Sequence, residues 1–295
     1  MKNVSTSHLE LSLIVTTFNR ENELKRFLDS IVVQEVQKFE VILVNQGVIS
    51  ENIRDIFKKF NWTVIDTGSQ IPLSKARNIG LTHHKGKYIG FPDDDCWYPL
   101  NFINDLLNVL ENLIEFEALC VSVFDPILNK SYGNRPKNII KELNFNNIIK
   151  LPVSVGIFIK SKVVNELDLI FNEKLGAGTY YGGGEETAFL CSVLKNKKKI
   201  LYNGFLSVYH ETDNYNLISI EKIKKYSIGY GYLVGAILRI GKLQVLPSIF
   251  VFLFKSFAGM TLRCYKRRYI LVYYNRIKYF FLGINDSFRE KKPVF

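Results

Sequence analysis

The sequence predicts an α/β protein in which a mostly parallel central sheet is flanked by helices and followed by a helical C-terminal region. Two observations support this class. Short apolar runs rich in β-branched residues alternate with segments of helical periodicity through most of the chain. Basic and aromatic residues then concentrate near the C-terminus. We therefore expect two regions, residues 1–215 and residues 216–295.

The strands are predicted from apolar runs that end in polar or turn-forming residues. The second run, for example, stops at the turn signal Asn45-Gln46-Gly47. Because helical segments separate the runs, the sheet should be mostly parallel, with right-handed crossovers between strands. In chain order the predicted strands are Leu11–Thr17, Phe39–Val44, Trp62–Asp66, Lys87–Pro92, Val153–Lys160 and Ile200–His210.

The helices are predicted from apolar residues spaced three and four positions apart, as Leu24, Phe27, Leu28 and Ile31 are. In chain order they are Glu21–Val33, Ile53–Phe60, Leu73–His83, Phe102–Leu113 and Thr187–Leu194. One long stretch, Gly133–Lys150, is rich in Asn and Lys and is expected to be an exposed loop.

Composition excludes several classes of protein. The 295 residues are 47% hydrophobic and 23% charged, which is ordinary for a globular chain and excludes disorder, collagen and multi-span membrane proteins. The polar stretch Met1–Glu10 predicts no secretory signal. The four cysteines include no Cys-x-x-Cys pair, which argues against a disulfide scaffold or a cysteine-rich zinc site and favours a reducing cytosol. They are Cys96, Cys120, Cys191 and Cys264.

The net charge of +11 is concentrated near the C-terminus. Residues 255–295 contain ten bases and two acids, which leaves +8 there. The apolar runs Ile228–Leu238 and Leu243–Phe254 both fall short of the ~18 residues expected of a spanning helix. Bases, aromatic residues and short apolar runs together predict helices that lie on an anionic membrane surface. A basic helical cap packed on the main domain is the alternative. Nucleic acid is not an expected partner, because no nucleic-acid-binding motif accompanies the charge.

Three adjacent carboxylates, Asp93-Asp94-Asp95, follow the predicted strand Lys87–Pro92. Such carboxylates repel one another and are costly to desolvate, and a divalent cation removes that cost. Ligation by oxygen atoms suits Mg²⁺ or Mn²⁺. The alternative is a solvated turn whose carboxylates cap the next helix.

A second acidic pair, Glu185-Glu186, follows a run of three glycines and begins a predicted helix. Glycine permits close approach of the backbone to a ligand. Because a helix N-terminus favours negative charge, helix capping alone would also explain these acids. His210 ends the last predicted strand, and a role as a ligand requires that it lie beside the aspartates.

The order of these motifs resembles the inverting GT-A glycosyltransferases of family 2, and in particular the bacterial members that build capsule, O-antigen or other envelope polysaccharides. The resemblance covers Leu11–His210. It rests on Thr-Thr-Phe-Asn-Arg at residues 16–20, Ala-Arg-Asn-Ile-Gly at residues 76–80, the acid triplet, and Gly-Gly-Glu-Glu at residues 183–186. It implies the GT-A fold, which is Rossmann-like with a mostly parallel central sheet and flanking helices, here followed by the basic, aromatic C-terminal segment.

The resemblance also implies catalytic and metal-binding roles. Glu186 matches the position of the catalytic base, although the family usually has an aspartate there, and Glu185 would position the acceptor or its loop. Asp93 and Asp95 match the DxD motif, with His210 as a further metal ligand. The implied cofactor is a divalent cation, Mn²⁺ or Mg²⁺.

The same resemblance implies how the donor is held. Thr16 and Phe18 would hold and stack on the nucleotide base, and Arg77 would contact the base or a phosphate. The second strand of the family usually ends in an aspartate that pairs with uracil, whereas Asn45 and Gln46 stand here. Their amides can still accept from and donate to a base edge. The residues implied to bind the nucleotide sugar are Thr16, Phe18, Asn45, Gln46, Arg77, Asp93 and Asp94.

These features predict an inverting transferase that moves a sugar from a nucleotide sugar, with a UDP-sugar favoured, to a hydroxyl of a lipid-linked glycan in envelope polysaccharide synthesis. It would act in the cytoplasm as a peripheral protein on the inner face of the plasma membrane. A degenerate, non-catalytic binding subunit is one alternative, suggested by Asn45, Gln46 and Glu186. A sugar nucleotidyltransferase is disfavoured, because Leu11–Arg20 lacks the glycine-rich signature of that class.

Overall fold

The computed structural model of the chain describes residues 9–212, 218–291 and 294–295, and its centre is one mixed sheet. The expected boundary between residues 215 and 216 lies outside the described residues. The described strands are β1 (Leu11–Thr17), β2 (Phe39–Asn45), β3 (Asn61–Asp66), β4 (Tyr88–Gly90), β5 (Cys96–Trp97), β6 (Ala118–Asp125), β7 (Lys130–Ser131), β8 (Ile140–Glu142), β9 (Ile157–Lys160) and β10 (Ile200–His210). Their order is β3-β2-β1-β4-β9-β6-β10-β5, while β7 pairs with β6 and β8 with β10.

The sheet is mostly parallel, as predicted. The long pairings β3-β2, β2-β1 and β6-β10 are parallel, as is β1-β4. The short strand β9 is antiparallel to both of its neighbours, β4 and β6. The half of the sheet that contains β1 to β4 is therefore a parallel layer of the kind that binds nucleotides.

The parallel register places the polar ends of several strands side by side. Thr17 lies opposite Asn45, and Asn45 lies opposite Asp66. Asp93, which follows β4, forms an isolated bridge with Thr16. Because ligands bind beyond the carboxyl ends of the strands in such sheets, a functional site is expected at this edge.

Helices cover both faces of the sheet. They are α1 (Glu21–Val32), α2 (Glu51–Phe57), α3 (Leu73–Leu81), α4 (Phe102–Asn112), α5 (Ser161–Glu166), α6 (Glu185–Lys195), α7 (Ile220–Arg239), α8 (Leu246–Leu262) and α9 (Arg267–Arg289). Apolar residues of α1, α2 and α4 share one core cluster, and those of α3, α5, α6, α7 and α9 share the other. Since successive side chains of a strand point to opposite faces, Leu13 and Val15 enter the first cluster and Ile14 enters the second.

Helices α7 and α9 pack on the α/β core. Tyr232 of α7 and Phe280 of α9 are buried in the same cluster as α6. The two helices approach closely because glycines face the partner backbone. A side chain at Gly231 would collide with the carbonyl of Phe280, and one at Gly283 would collide with the carbonyl of Ile228. These two helices therefore form the helical cap that the sequence allowed as an alternative.

Helix α8 differs from α7 and α9 because most of its surface is exposed. With the preceding turn it forms the segment Leu243–Leu262, which has 20 residues, a mean hydropathy of 1.7 and only 17% of its apolar stretch buried. By length and composition, it is the one helix in the described part of the chain that could cross a membrane. The expectation that both apolar runs are too short was wrong for the second run, because Lys255 interrupts the apolar pattern without ending the helix.

Two further parts of the fold differ from the prediction. No strand was predicted at Ala118–Asp125, yet β6 lies in the sheet between β9 and β10. Its run is apolar apart from Ser122 and the final residue, which is the usual character of a fully buried strand. The expectation of an exposed loop at Gly133–Lys150 was wrong for its second half, because Leu143 and Phe145 are buried in the core. The polar residues around them in the sequence gave no apolar pattern from which this burial could be predicted.

Candidate active site

A cavity of about 590 Å³ lies at the carboxyl ends of β1, β2 and β4. Thr16, Phe18 and Gln46 line it, together with the acid triplet. The side chain of Phe18 is 37% exposed, so its ring is available for stacking. Gln46 is fixed by the backbone N–H of Ile71, which donates to its Oε1 at 2.8 Å. The cavity is therefore lined by the aromatic ring of Phe18, the hydrogen-bonded amide of Gln46 and the carboxylates of the acid triplet.

Arg20 fixes the acid triplet at this cavity. Its Nη1 lies 2.8 Å from Oδ1 of Asp94, and its Nη2 lies 2.9 Å from Oδ2 of Asp95. The hydroxyl of Thr17 donates to the second oxygen of Asp94 at 2.8 Å. Burial raises the pKa of Asp94 to about 7, although Thr17 and Arg20 act in the opposite direction. Both oxygens of Asp94 accept hydrogen bonds within the protein, whereas Asp93 and Asp95 each accept one at a single oxygen among the described residues. Asp93 and Asp95 are therefore the members of the triplet best placed to hold a metal ion.

Asp93, Asp95 and His210 form a candidate metal centre. One potential ligand atom of each residue lies within 4.8 Å of the others. Nε2 of His210 is 3.1 Å from the buried Oδ1 of Asp95. Burial opposes ionisation of Asp95, but His210 and Arg20 hold its pKa well below the usual range. Burial likewise opposes protonation of His210, and Asp95 outweighs it and raises the pKa of the imidazole. The two carboxylates supply the oxygen ligands that suit Mn²⁺ or Mg²⁺, and the imidazole of His210 in its neutral form would add a nitrogen ligand.

Arg77 joins the acid triplet to the second acidic pair. Its side chain is 1% exposed, its Nη2 lies 2.8 Å from Oδ1 of Asp93, and its Nη1 lies 3.2 Å from Oε1 of Glu185. Burial raises the pKa of Glu185 to about 8, the charge of Glu186 acts in the same direction, and Arg77 opposes both. The guanidinium therefore ties the end of β4 to the first turn of α6.

A second cavity of about 420 Å³ adjoins the first. Both are lined by Asp93, Tyr132 and His210, and the ring of Tyr132 lies 5.1 Å from that of His210. Glu186, in the first turn of α6, is partly buried and lines only the second cavity. Arg135 lines the same cavity. Two ligands bound in these cavities would meet beside Asp93, and the ligand in the second cavity would also contact Glu186.

The structure brings most of the predicted site residues to these two cavities. Asn45 and Arg77 line neither cavity in the described part of the chain. Asn45 instead donates to Asp66 at 2.6 Å and to the carbonyl of Gly47 at 2.7 Å. Arg77 is buried, and its guanidinium pairs with Asp93 and Glu185. The predicted residues that line one or both cavities are Thr16, Phe18, Gln46, Asp93, Asp94, Asp95, Glu185, Glu186 and His210.

Sequence reasoning gave no role to three residues of the site. Arg20 ends the Thr-Thr-Phe-Asn-Arg motif, and its place in that motif was the available signal. Tyr132 and Arg135 lie where no periodicity or motif marks them. They reach the site because the chain after β6 returns to β10, a contact that only the folded topology reveals.

Comparison with known proteins identifies the family. The family model described as glycosyl transferase family 2 matches residues 12–160, just over half of the 295 residues. An uncharacterized glycosyltransferase of Haemophilus influenzae is 26% identical over 292 residues, which are 96% of this chain and 98% of that protein. The glycosyltransferase GlyA of Streptococcus pneumoniae is 30% identical over 112 residues, which are 37% of this chain and 16% of that protein. The chain likewise spans 47% and 29% of two other curated relatives, so it covers less than half the length of these three proteins.

A solved structure supports the same fold. Residues 1–349 of S. aureus TarS, in complex with UDP-GlcNAc, match with a TM-score of 0.63 and 17% identity, over 93% of this chain and 81% of that chain. At 17% identity this similarity is evidence for the fold alone. The fold, the order of the acidic motifs and the match over residues 12–160 lead to one conclusion: the chain belongs to glycosyl transferase family 2 and has a GT-A fold.

Proposed function

We propose that this enzyme moves a sugar from a UDP-sugar to a hydroxyl of a lipid-linked glycan acceptor, with inversion at the anomeric carbon. The observation that carries the proposal is the convergence of two acidic groups on adjoining cavities, with Asp93, Asp95 and His210 at one and Glu186 at the other. If the donor diphosphate binds beside the first group and the acceptor hydroxyl beside Glu186, the anomeric carbon of the donor and the attacking hydroxyl oxygen would lie between the two groups.

The first cavity suits the nucleotide part of the donor. The exposed ring of Phe18 can stack on a base, and the Gln46 amide is held where a base edge could meet it. Arg20 adds a permanent positive charge beside the acids, which favours a diphosphate. TarS, which shares this fold, was solved with UDP-GlcNAc, so a UDP-sugar is the first donor to test.

Asp93, Asp95 and His210 would hold the divalent cation, Mn²⁺ or Mg²⁺. When bound, such an ion neutralises negative charge on a leaving diphosphate. Neighbouring arginines orient the carboxylate ligands, since Arg77 contacts Asp93 and Arg20 contacts Asp95. Nδ1 of His210 is 2.6 Å from the carbonyl of Glu211, which directs Nε2 toward Asp95.

Glu186 would take the proton from the acceptor hydroxyl. Within the described residues Glu186 makes no ion pair, so its carboxylate is available to the cavity that it lines. Glu185 is bound to Arg77 and fixes the first turn of α6, which positions Glu186. A general base that activates the acceptor for a single displacement gives inversion, and no nucleophile of the enzyme is required.

A lipid-linked acceptor requires a membrane, and α8 supports contact with one. Phe250, Phe254 and Phe257 recur on one side of the helix and are 72%, 65% and 51% exposed. Bases follow the helix directly, beginning with Arg263 and Lys266, and such residues are attracted to the anionic cytoplasmic leaflet. The enzyme would therefore act in the cytoplasm, held at the inner face of the plasma membrane through α8.

The donor assignment is tested by thermal unfolding of the full chain with UDP-, GDP- and dTDP-sugars, each with and without Mn²⁺. A ligand at 100 times its Kd stabilises the folded state by about 2.7 kcal/mol. We expect the largest rise in Tm with a UDP-sugar and Mn²⁺ together, and we expect slow hydrolysis of that donor to release UDP and a sugar of inverted configuration, read by proton NMR. Absence of Mn²⁺-dependent stabilisation by every nucleotide sugar would refute the proposal.

A further inference from the structure

Arg135 lines the second cavity, and contacts of the loop that contains it fix its position. Arg135 follows the turn Tyr132–Asn134, and the chain beyond it is anchored to β10, because the hydroxyl of Tyr202 donates to the carbonyl of Pro136 at 2.8 Å. Gly133 has a φ of +59°, and a side chain there would collide with Nη1 of Arg135. The loop thus leaves room for the guanidinium at the cavity wall.

The guanidinium of Arg135 has little bonding within the protein. Its Nε is buried and has no hydrogen-bond partner in the part of the chain that the structure describes. Its Nη1 donates only a long bond, 3.4 Å, to the carbonyl of Tyr132. Among the described residues no carboxylate forms an ion pair with it. Burial lowers the pKa of the Arg135 guanidinium, and the charge of Glu186 acts in the opposite direction. Its guanidinium carbon also lies 5.9 Å from the centre of the Tyr132 ring. An arginine side chain stays charged at neutral pH, and a partly buried cation without an ion-pair partner is costly.

The other charges of the cavity are already compensated. Arg77 pairs with both Asp93 and Glu185. Glu186 and Arg135 are therefore the two charged groups that line the second cavity without an ion pair among the described residues. They face a space of about 420 Å³, which is enough for a saccharide between them.

We infer that Arg135 binds an oxyanion on the acceptor, so that the acceptor of the proposed transfer is an anionic saccharide whose charged group lies near the hydroxyl that Glu186 activates. The inference rests on the proposed function for the role of Glu186. A guanidinium fork binds phosphate or carboxylate oxygens through paired, charge-assisted hydrogen bonds. The hydroxyls of a neutral sugar can accept single hydrogen bonds from the Nε–H group, but they do not compensate the positive charge of the guanidinium. The anion is either the phosphate of a glycosyl phosphate or the carboxylate of an acidic sugar.

The test measures binding of three small saccharides to the full chain by calorimetry. The probes are glucose 1-phosphate, glucuronic acid and the neutral methyl glucoside, each with and without saturating UDP and Mn²⁺, which keep the phosphate probe out of the donor cavity. We expect at least one anionic probe to bind about 10-fold or more tightly than methyl glucoside. The tighter of the two anionic probes identifies phosphate or carboxylate as the bound group.

Variants assign that preference to Arg135. Arg135→Gln should lower the affinity for the preferred anionic probe by about 10- to 100-fold and leave the affinity for methyl glucoside unchanged. Arg135→Lys keeps the charge without the fork, so its affinity for the anionic probe should lie between those of wild type and Arg135→Gln. Lys137→Gln is the matched control, because it removes the same charge from the same loop at a side chain that lies over Phe124, outside the cavity. It should bind all three probes as wild type does.

Two results would overturn the inference: equal affinity of wild type for all three probes, or an anion preference that survives in Arg135→Gln. Affinity for UDP with Mn²⁺ is measured in the same samples. Absence of that affinity in wild type would count against the proposed donor chemistry, whereas the difference between wild type and Arg135→Gln in affinity for the same probe reports on Arg135.

Discussion

At the scale of single residues, Arg77 carries the link between the two acidic groups. One guanidinium compensates Asp93, which follows β4, and Glu185, which begins α6. A buried ion pair adds little net stability when it is intact, but removal of one partner leaves an uncompensated buried charge. Arg77 should therefore matter both for stability and for the relative position of the proposed metal ligands and the proposed general base.

We predict that Arg77→Met lowers the free energy of unfolding by about 3–5 kcal/mol. It should also weaken binding of Mn²⁺, because Asp93 loses the group that orients it. Arg77→Lys should be intermediate, since one ammonium group cannot reproduce a fork that contacts two carboxylates. Denaturant unfolding and Mn²⁺ titration measure these effects.

Arg54→Met is the matched control for Arg77→Met. Arg54 lies exposed on α2 with a single 3.9 Å contact to Glu51, so its removal should change stability by less than about 0.5 kcal/mol. If the two arginine variants unfolded at the same denaturant concentration, the buried bridge would have no energetic role.

At the scale of elements, α8 stands apart from the other C-terminal helices. Helices α7 and α9 bury Tyr232 and Phe280 in the core, whereas α8 presents phenylalanines to solvent. Large exposed apolar faces are typical of interaction sites, and the bases that follow α8 favour an anionic lipid surface. The membrane contact should therefore depend on α8 while the fold depends on α7 and α9.

The prediction for α8 is that the triple variant Phe250→Ser, Phe254→Ser, Phe257→Ser loses at least 10-fold in affinity for anionic vesicles. Burial of each ring in the membrane interface contributes roughly 1.5–3 kcal/mol to the free energy of binding, so loss of even part of this energy lowers the vesicle affinity measurably. Vesicle flotation measures it, and thermal unfolding checks that the fold is kept.

The control for α8 replaces three exposed apolar residues elsewhere, Val48, Ile114 and Ile127, by serine. It should float with vesicles as the wild type does. Equal flotation of the α8 variant and the control would show that α8 is not the membrane contact.

At the scale of the whole molecule, the sequence predicted the local elements better than their mutual placement. The periodicity of β1, α1 and β2 is local, so their bounds agree to within a residue or two. The site residues that follow strand ends were predictable, because parallel strands bring those ends together. Arg135 and the buried bridge of Arg77 were not, since both depend on long-range packing that no local pattern encodes.

The central claim is that one molecule holds a donor through one acidic group and activates an acceptor through another. Asp95, with Asp93 and His210, belongs to the first group, and Glu186 to the second. Asp95 lines only the first cavity and Glu186 only the second, while Asp93 and His210 line both. Substitutions in them should therefore separate donor binding from turnover.

The most direct test pairs Glu186→Gln with Asp95→Asn and measures Mn²⁺-dependent UDP affinity and donor turnover in both. Asp55→Asn, on the exposed surface of α2, is the control for loss of a carboxylate. We predict that Glu186→Gln keeps UDP affinity within about two-fold and loses turnover by about 10²–10⁴-fold, whereas Asp95→Asn loses the Mn²⁺-dependent part of UDP affinity. Turnover of Glu186→Gln within a few-fold of wild type, or Mn²⁺-dependent UDP affinity unchanged in Asp95→Asn, would contradict the account.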